Sequence, residues 1–333
     1  MRVLVAPDKF RGTASAPQVA AAIAEGLTGA GHRATSQPLS DGGEGFLEVL
    51  GGANRSTTVT GPLGDEVEAG WRLASRTAVI EMALASGLSV VGGADSNDPV
   101  AASTYGTGEL ISAALDAGAR KILLGVGGSA STDGGLGALR ALEPMHRLRG
   151  VDLQIACDVR LNVLEAARVF SPQKGATSAQ VQLLEGRLAR LAQMYADDYG
   201  TDVVDLEGGG AGGGLAGGLA CVGGMLSSGF DLVSEAVDLD ELIESADLVI
   251  TGEGFLDEES FHGKLVGGVV EMCQSMDTPV VAVVGQSFDD AERRVPTVSL
   301  VESFGWDAAM GDTIACLIAA APRAVGLIGS PGD

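Results

Sequence analysis

Short apolar runs alternate with amphipathic stretches along most of the chain. Val3–Ala6 is an apolar, β-branched run that ends at a proline, a pattern typical of a buried strand. Ser15 and Pro17 then mark a helix start. The apolar positions of this helix recur at a spacing of four residues, at Val19, Ile23 and Leu27. The chain is therefore predicted to open with a strand, a loop and a helix.

The same alternation recurs downstream. Further strands are predicted at Ala78–Met82, Lys121–Val126, Leu153–Cys157, Leu248–Thr251, Val280–Gly285 and Thr297–Val301. Helices are predicted at Glu109–Ala117, Leu136–Leu142 and Val181–Tyr195. This order predicts an α/β fold with mostly parallel sheets. Ligands of such sheets bind at the carboxyl ends of the strands, so polar residues just after a strand are the first candidates for a site.

Glycine is unusually frequent, at 50 of 333 residues, and it clusters between the apolar runs. The segment from Glu207 to Gly224 is the extreme case, with ten glycines in eighteen residues. Because Leu215 and Leu219 keep a helical spacing there, we expect a helix packed closely against a neighbour or a ligand, not a flexible linker.

Composition narrows the classes of partner. A net charge of −23 disfavours binding to nucleic acid or to an anionic membrane surface. No apolar run approaches the ~18 residues of a membrane span. The four cysteines are far apart, so neither a zinc site nor a disulfide framework is indicated. A cytoplasmic protein with reduced thiols is expected.

Lysine is rare, with four residues against seventeen arginines. Lys9, Lys174 and Lys264 lie in short polar motifs that contain glycine, a common arrangement for holding phosphate. A Walker motif is nevertheless absent, since Lys264 is followed by leucine where serine or threonine would bind magnesium. His262, two residues before Lys264, is the histidine that lies beside such a motif.

The loop after the strand at Lys121–Val126 is the best candidate for a phosphate site. Its start matches the Gly-x-Gly-x-x-Ala fingerprint of dinucleotide folds, which leaves a nicotinamide-dependent oxidoreductase open. The loop then continues through several polar residues before any apolar helix, so it offers backbone N–H groups and hydroxyls to phosphate oxygens. The candidate nucleotide-binding residues are Gly127, Gly128, Ser129, Thr132 and Asp133.

Acidic residues also follow strands or lie among glycines. Asp8 and Asp158 each follow a predicted strand, and Glu253 lies in Thr-Gly-Glu-Gly after another. Asp41 and Glu44 stand three apart in Ser-Asp-Gly-Gly-Glu-Gly. Carboxylates in such places can hold Mg²⁺ or take a proton from a substrate hydroxyl.

The order of these motifs resembles that of the bacterial type I glycerate kinase family. The resemblance covers residues 1 to about 290. Its motifs are Ala6-Pro-Asp-Lys-Phe-Arg-Gly, Asp41-Gly-Gly-Glu-Gly, Gly61-Pro-Leu-Gly, Glu81-Met-Ala, Thr104-Tyr-Gly-Thr-Gly-Glu, Gly127-Gly-Ser-Ala-Ser-Thr-Asp-Gly-Gly, Ala156-Cys-Asp-Val, Pro172-Gln-Lys-Gly-Ala and Thr251-Gly-Glu-Gly.

The resemblance implies phosphorylation of D-glycerate that depends on ATP and Mg²⁺, usually at the 2-hydroxyl. It also implies two α/β domains, one inserted into the other, with the active site in the cleft. The outer, Rossmann- or flavodoxin-like domain is expected at residues 1–75 and 243–333, and the inserted domain at 76–242. Glycerate would be the small-molecule partner, and a homodimer is compatible with the sequence.

The same resemblance suggests roles for the candidates. Ser129, Thr132 and nearby backbone amides would hold the nucleotide phosphates, and Lys174 and Lys264 would neutralise charge on the transferring group or the glycerate carboxylate. Groups that would orient the acceptor hydroxyl or hold Mg²⁺ are Asp8, Asp41, Asp158 and Glu253, with Glu44 as a further metal candidate. Relatives carry serine at position 9 and lysine at position 11, so Arg11 is expected to supply the charge of the first loop.

The chain also departs from the family pattern. It is shorter between Glu143 and Val151, and Val-Arg-Leu follows Asp158 where the family has Asn-Pro-Leu. These changes leave open phosphorylation at the 3-hydroxyl, or a non-catalytic paralogue that senses a nucleotide or metabolite.

Overall fold

A computed structural model describes residues 1–261, 264–288 and 290–328. The chain divides into two compact units. The first comprises residues 1–41 and 233–333, and the second comprises residues 42–232. His262 lies outside the described residues.

Across the described residues the strands are β1 (Arg2–Val5), β2 (Arg33–Ser36), β3 (Arg55–Thr60), β4 (Glu66–Ala74), β5 (Thr77–Glu81), β6 (Lys121–Gly125), β7 (Asp152–Ala156), β8 (Met225–Ser227), β9 (Leu248–Thr251), β10 (Phe255–Leu256), β11 (Val280–Val284), β12 (Gln286–Ser287) and β13 (Thr297–Ser299). The α-helices are α1 (Ala16–Gly29), α2 (Phe46–Val49), α3 (Ala83–Ser86), α4 (Tyr105–Asp116), α5 (Leu136–Leu142), α6 (Ala166–Phe170), α7 (Ser178–Tyr199), α8 (Leu215–Ala220), α9 (Gly229–Ala236), α10 (Leu239–Glu244), α11 (Leu265–Ser275), α12 (Leu300–Phe304), α13 (Trp306–Gly311) and α14 (Thr313–Gly326).

The first unit is built on a parallel sheet of strand order β13-β11-β9-β1-β2. Strands β9 and β11 are buried along their whole length, which explains why every residue in them except Thr251 is Val, Ile, Leu or Ala. Helices α1 and α14 pack against each other at Gly26, where a Cβ atom would lie 2.2 Å from the carbonyl oxygen of Ile318. The missing side chain therefore permits close approach of the two helices.

The second unit has a six-stranded sheet of order β3-β4-β5-β6-β7-β8. Strands β3, β4 and β5 are antiparallel neighbours, whereas β5 to β8 run parallel. Its core residues lie between Val59 and Leu219 and are mostly Ala, Val, Leu and Ile. The parallel part carries the strand ends at which the sequence analysis placed candidate residues.

The predicted α/β fold with mostly parallel sheets is confirmed. Several predicted strands end earlier than predicted, including those that end at Gly125, Val284 and Ser299. The largest difference is at Ser299, whose hydroxyl accepts a hydrogen bond from the Glu302 amide and caps α12. The first boundary between the units lies after Asp41, whereas the sequence analysis placed it near residue 75. The difference arises because β3 and β4 pair into the second sheet as an antiparallel extension, which an alternation of strands and helices does not predict.

No helix within the described part of the chain is long and apolar enough to cross a membrane. All four cysteines are free thiols.

Candidate functional site

The carboxyl ends of three parallel strands lie side by side in the second unit. Glu81 of β5 pairs with Gly125 of β6, and Gly125 pairs with Ala156 of β7. The motifs that contain Glu81, Gly127 and Ala156 lie at or directly after these strand ends, and the Gly-Gly-Glu-Gly motif packs against them. The edge is therefore where side chains from distant parts of the chain come within reach of one another.

The Gly-Gly-Glu-Gly loop after Asp41 packs directly on this edge. A Cβ atom on Gly42 would lie 2.5 Å from the Ala156 Cβ, and one on Gly127 would lie 2.6 Å from the Gly43 Cα. Glu81 holds the loop from the strand side, because its buried carboxylate accepts hydrogen bonds from the amides of Gly45 (3.3 Å) and Leu47 (3.1 Å). The glycines are therefore needed for close backbone contact, and Glu81 caps the start of α2.

Lys174 is buried inside the second unit. Its side chain is 3% exposed, and its ammonium donates to the Ser129 hydroxyl (2.7 Å) and to the Ser131 carbonyl (2.5 Å). Burial lowers the pKa of Lys174 to about 7, with Asp133 acting in the opposite direction. The lysine therefore fixes the 129–131 loop and places a titratable cation beneath it.

Two buried hydroxyls of the same loop are unsatisfied. Ser131 Oγ and Thr132 Oγ1 have no hydrogen-bond partner among the described residues. The Asn97 Oδ1 atom is in the same state, although its amide nitrogen donates to the carbonyls of Ala130 (3.1 Å) and Lys174 (2.9 Å). Buried polar atoms normally find a partner, so such a cluster beside a lysine is typical of a site that binds a polar ligand or water.

Asp133 is held by several hydrogen bonds within the second unit. Its carboxylate accepts from the Thr104 amide (2.8 Å), the Thr104 hydroxyl (2.9 Å) and the amides of Gly135 (3.1 Å) and Gly137 (3.2 Å). These bonds cap the N-terminus of α5. The predicted place of Asp133 in the phosphate loop stays a prediction.

The glycine-rich segment packs against the same loop as a short helix, α8, followed by a turn. A Cβ atom on Gly213 would lie 2.0 Å from the Ser131 carbonyl oxygen, and one on Gly218 would lie 2.6 Å from that of Gly134. The expected close packing is confirmed, and α8 contains both Leu215 and Leu219 before it ends at Ala220.

Two further acidic candidates belong to the second unit. The Asp158 carboxylate accepts a hydrogen bond from the Gly229 amide (2.9 Å) at the start of α9. Glu44 is exposed at the surface of its loop.

In the first unit, Asp8 and Asp41 share one ammonium. The Lys9 Nζ atom lies 3.4 Å from Asp8 Oδ1 and 3.3 Å from Asp41 Oδ1. Burial raises the pKa of Asp8 to about 6, although Lys9 opposes this. Burial also lowers the pKa of Lys9, but the two carboxylates outweigh it and the net pKa is raised.

Glu253 is a second titratable carboxylate of the first unit. Burial raises its pKa to about 7, against a hydrogen bond from Ser260, and Asp8 adds to the increase. Its Oε1 atom has no hydrogen-bond partner among the described residues. Lys264, which lowers the pKa of Glu253, is 46% exposed and pairs with Glu259 at 3.4 Å.

The residues present fit a nucleotide better than a bare metal ion. The loop in the second unit supplies a buried cation and unsatisfied hydroxyls, which suit phosphate oxygens. Within the described residues no cluster of three or more His, Cys, Asp or Glu side chains could hold a metal ion. Mg²⁺ typically takes one or two carboxylates and several waters or phosphate oxygens, so the unsatisfied Glu253 oxygen still fits it.

Three residues that hold the candidate loops and carboxylates in position were not predicted from the sequence. Lys9 was set aside in favour of Arg11, yet Lys9 contacts both carboxylates, whereas Arg11 is exposed. Glu81 and Thr104 belong to motifs that were noticed but given no role. A buried glutamate at the end of an apolar strand was the available signal for Glu81.

A model of the glycerate kinase family matches residues 3–145 and 143–304. The two matches meet at residues 143–145, at the start of the segment in which this chain is shorter than the family pattern. Similar curated proteins include the glycerate 2-kinase of Escherichia coli, 37% identical over 92% of this chain and 89% of its own length. The glycerate kinase of Bacillus subtilis is 40% identical over 87% of this chain and 86% of its own.

A solved structure has the same fold. The crystal structure of a candidate glycerate kinase 2 from Salmonella typhimurium LT2 superposes with a TM-score of 0.82. It is 34% identical in sequence and covers 98% of each chain.

Proposed function

Because the chain belongs to the glycerate kinase family, we propose that it transfers the γ-phosphoryl group of ATP to the 2-hydroxyl of D-glycerate, forming 2-phosphoglycerate. The name of the Escherichia coli relative supports the 2-hydroxyl as acceptor. The substrate would be a small hydroxy acid and the nucleotide would carry Mg²⁺.

The observation that carries this proposal is the buried Lys174, whose ammonium donates hydrogen bonds to Ser129 and Ser131 of the glycine-rich loop. Phosphoryl transfer requires a fixed cation and oriented hydrogen-bond donors more than it requires a covalent intermediate. The Lys174 ammonium and the hydroxyls of Ser129, Ser131 and Thr132 provide such a set. We assign the nucleotide phosphates to this loop.

The carboxylates of the first unit suit the acceptor and the metal ion. A base is most effective when its pKa lies near the working pH. Asp8, with a pKa of about 6, is assigned to accept the proton of the acceptor hydroxyl. Asp41 and Glu253 are assigned as the protein oxygens that hold Mg²⁺, with the exposed Glu44 as a further candidate.

Two cations complete the assignment. Lys264 is half-exposed at the start of α11, so it is available to an anionic substrate group such as the glycerate carboxylate. Mg²⁺, when bound with the nucleotide, neutralises charge on the transferring group. Asp158 remains a candidate for orienting the acceptor.

The proposal is tested by product analysis. The purified protein is incubated with ATP, Mg²⁺ and D-glycerate, and product is detected by adding enolase, which consumes 2-phosphoglycerate directly. Signal with enolase alone supports the 2-hydroxyl. Signal that appears only after phosphoglycerate mutase is added would assign the 3-hydroxyl. Ligand binding without ADP release, over a panel of small hydroxy acids, would instead favour a sensing paralogue.

The Lys174→Met variant tests the loop assignment. It removes the charge and both hydrogen bonds while keeping a similar length, and we expect kcat to fall by about 10²–10³-fold. Lys121→Met, which removes a lysine at the start of β6 in the same unit, is the matched control and should retain activity. Near-normal turnover in Lys174→Met would contradict the assignment.

A further inference from the structure

Lys9 lies where it can act on two carboxylates at once. Its ammonium is within 3.4 Å of an oxygen of Asp8 and within 3.3 Å of an oxygen of Asp41. Its own backbone amide also donates to the same Asp8 oxygen, at 2.7 Å. The Lys9 side chain is 15% exposed, so the ammonium is held beside both carboxylates with little access to water.

A divalent cation shared by Asp8 and Asp41 would need the place that this ammonium occupies. Mg²⁺ binds carboxylate oxygens at about 2.0–2.1 Å, closer than the ammonium stands now. Because lysine is tethered to the chain next to Asp8, the ammonium cannot diffuse away, and its charge repels an incoming cation. Such an ion must displace Lys9 from at least one carboxylate.

We propose that Lys9 is a tethered counter-ion that prevents Asp8 and Asp41 from binding a divalent cation in the nucleotide-free protein. This exclusion of free metal ions does not depend on the proposed function.

The competing explanation is a purely structural ion pair. In that case Lys9 would stabilise the first loop and its removal would lower the melting temperature, with or without metal ions. The two explanations differ in what happens when a metal ion alone is added, which requires neither ATP nor glycerate.

The experiment measures Mn²⁺ binding by electron paramagnetic resonance of the free ion, in full-length protein without nucleotide or substrate. We expect no stoichiometric Mn²⁺ site in the wild-type protein. Lys9→Met should gain about one site per chain, with at least tenfold higher affinity than wild type. Mn²⁺ should also raise the melting temperature of Lys9→Met, since binding to the folded state stabilises it.

Three variants serve as controls. Lys9→Arg keeps the charge and should stay without a site. Arg2→Met removes one positive charge elsewhere in the same unit, where Arg2 pairs with Asp247, and should also behave like wild type. Adding Asp41→Asn to Lys9→Met should abolish the gained site.

Two results would overturn the proposal. One is a wild-type protein that binds Mn²⁺ stoichiometrically and loses it on Asp41→Asn, a result that remains decisive even if the Lys9 variants do not fold. The other is a folded Lys9→Met protein with a lower melting temperature and no gain in Mn²⁺ affinity. A negative kinase assay would not change the Mn²⁺ result expected under either explanation of Lys9. The proposed function and the proposed role of Lys9 can therefore fail separately.

Discussion

At the residue scale, burial decides the chemistry of the candidate side chains. Lys174, Asp8 and Glu253 all have a pKa displaced toward neutrality, and desolvation is the largest cause for each. The sequence showed these as a lysine and two acids beside glycine. Their burial depends on segments far away in the chain, so their pKa values could not be predicted from local patterns.

Lys174 should take up a proton when a phosphate ligand binds. With a pKa of about 7 it is mostly neutral at pH 8, and a bound anion favours the charged form and raises the pKa. Calorimetric titration with nucleotide in buffers of different ionisation enthalpy should show uptake approaching one proton at pH 8. The uptake should fall toward zero at pH 5.5, where the lysine is already charged.

The matched control for this proton uptake is the Lys174→Met protein, which should bind without the pH-dependent component. Proton release on binding at pH 8, or equal uptake in the variant, would show that another group is responsible.

Glu253→Gln should stabilise the protein at high pH. The folded-state pKa of Glu253 is raised to about 7, so its contribution to stability is present below the unfolded pKa and is lost as pH rises through about 7. The amide cannot ionise, so we expect a gain of about 1–3 kcal/mol in the free energy of unfolding at pH 8, with little gain at pH 4.

Thermal melts of metal-free protein at the two pH values measure the effect of Glu253→Gln. Glu271→Gln, an exposed carboxylate on α11 of the same unit, is the control and should show no such difference. A destabilisation at pH 8 would mean that ionised Glu253 has a partner that compensates its burial.

At the element scale, glycine lets backbone segments meet at the strand ends. The loop from Ser129 to Gly135 is contacted by the turn before α8, and the loop from Gly42 to Gly45 packs on the ends of β6 and β7. The sequence indicated both glycine clusters and their position after strands. It could not indicate which cluster faces which, because backbone contacts leave no periodic side-chain pattern.

Gly213→Ala tests this packing. Its φ is +69° and the Cβ of an alanine would lie 2.0 Å from the Ser131 carbonyl oxygen, so the loop that Lys174 contacts must shift. We expect a loss of at least about 2 kcal/mol in stability and at least tenfold in turnover. Gly223→Ala has a similarly positive φ of +95° but open space around its Cβ, so it should cost about 1 kcal/mol and retain turnover. Equal effects of both variants would attribute the loss to backbone strain alone.

At the scale of the whole molecule, each of the two units has its own large sheet and its own core. The core of the second unit runs from Val59 to Leu219, and that of the first unit draws on both ends of the chain, from Val3 to Ala324. An unbroken chain segment, residues 42–232, therefore carries a complete core and sheet.

A fragment of residues 42–232 should consequently fold by itself. Its length and buried core are those of an ordinary domain. We expect a single cooperative thermal transition and dispersed amide resonances. A fragment of residues 76–242, which lacks β3 and β4, is the comparison and should melt at lower temperature or remain unfolded, because it loses two of six strands. Equal stability of both fragments would place the boundary near residue 75.

The sequence by itself determined the α/β class, most strands and helices, and the loops at which polar residues follow a strand, because these depend on local periodicity and on glycine and proline. Tertiary structure alone decided which charges meet. Lys9 reaches Asp41 across 32 positions, Glu81 holds Leu47 across 34, and Lys174 is buried against Ser129 across 45. Such pairing and burial arise when distant segments fold together, and they set the charge states on which the proposed chemistry depends.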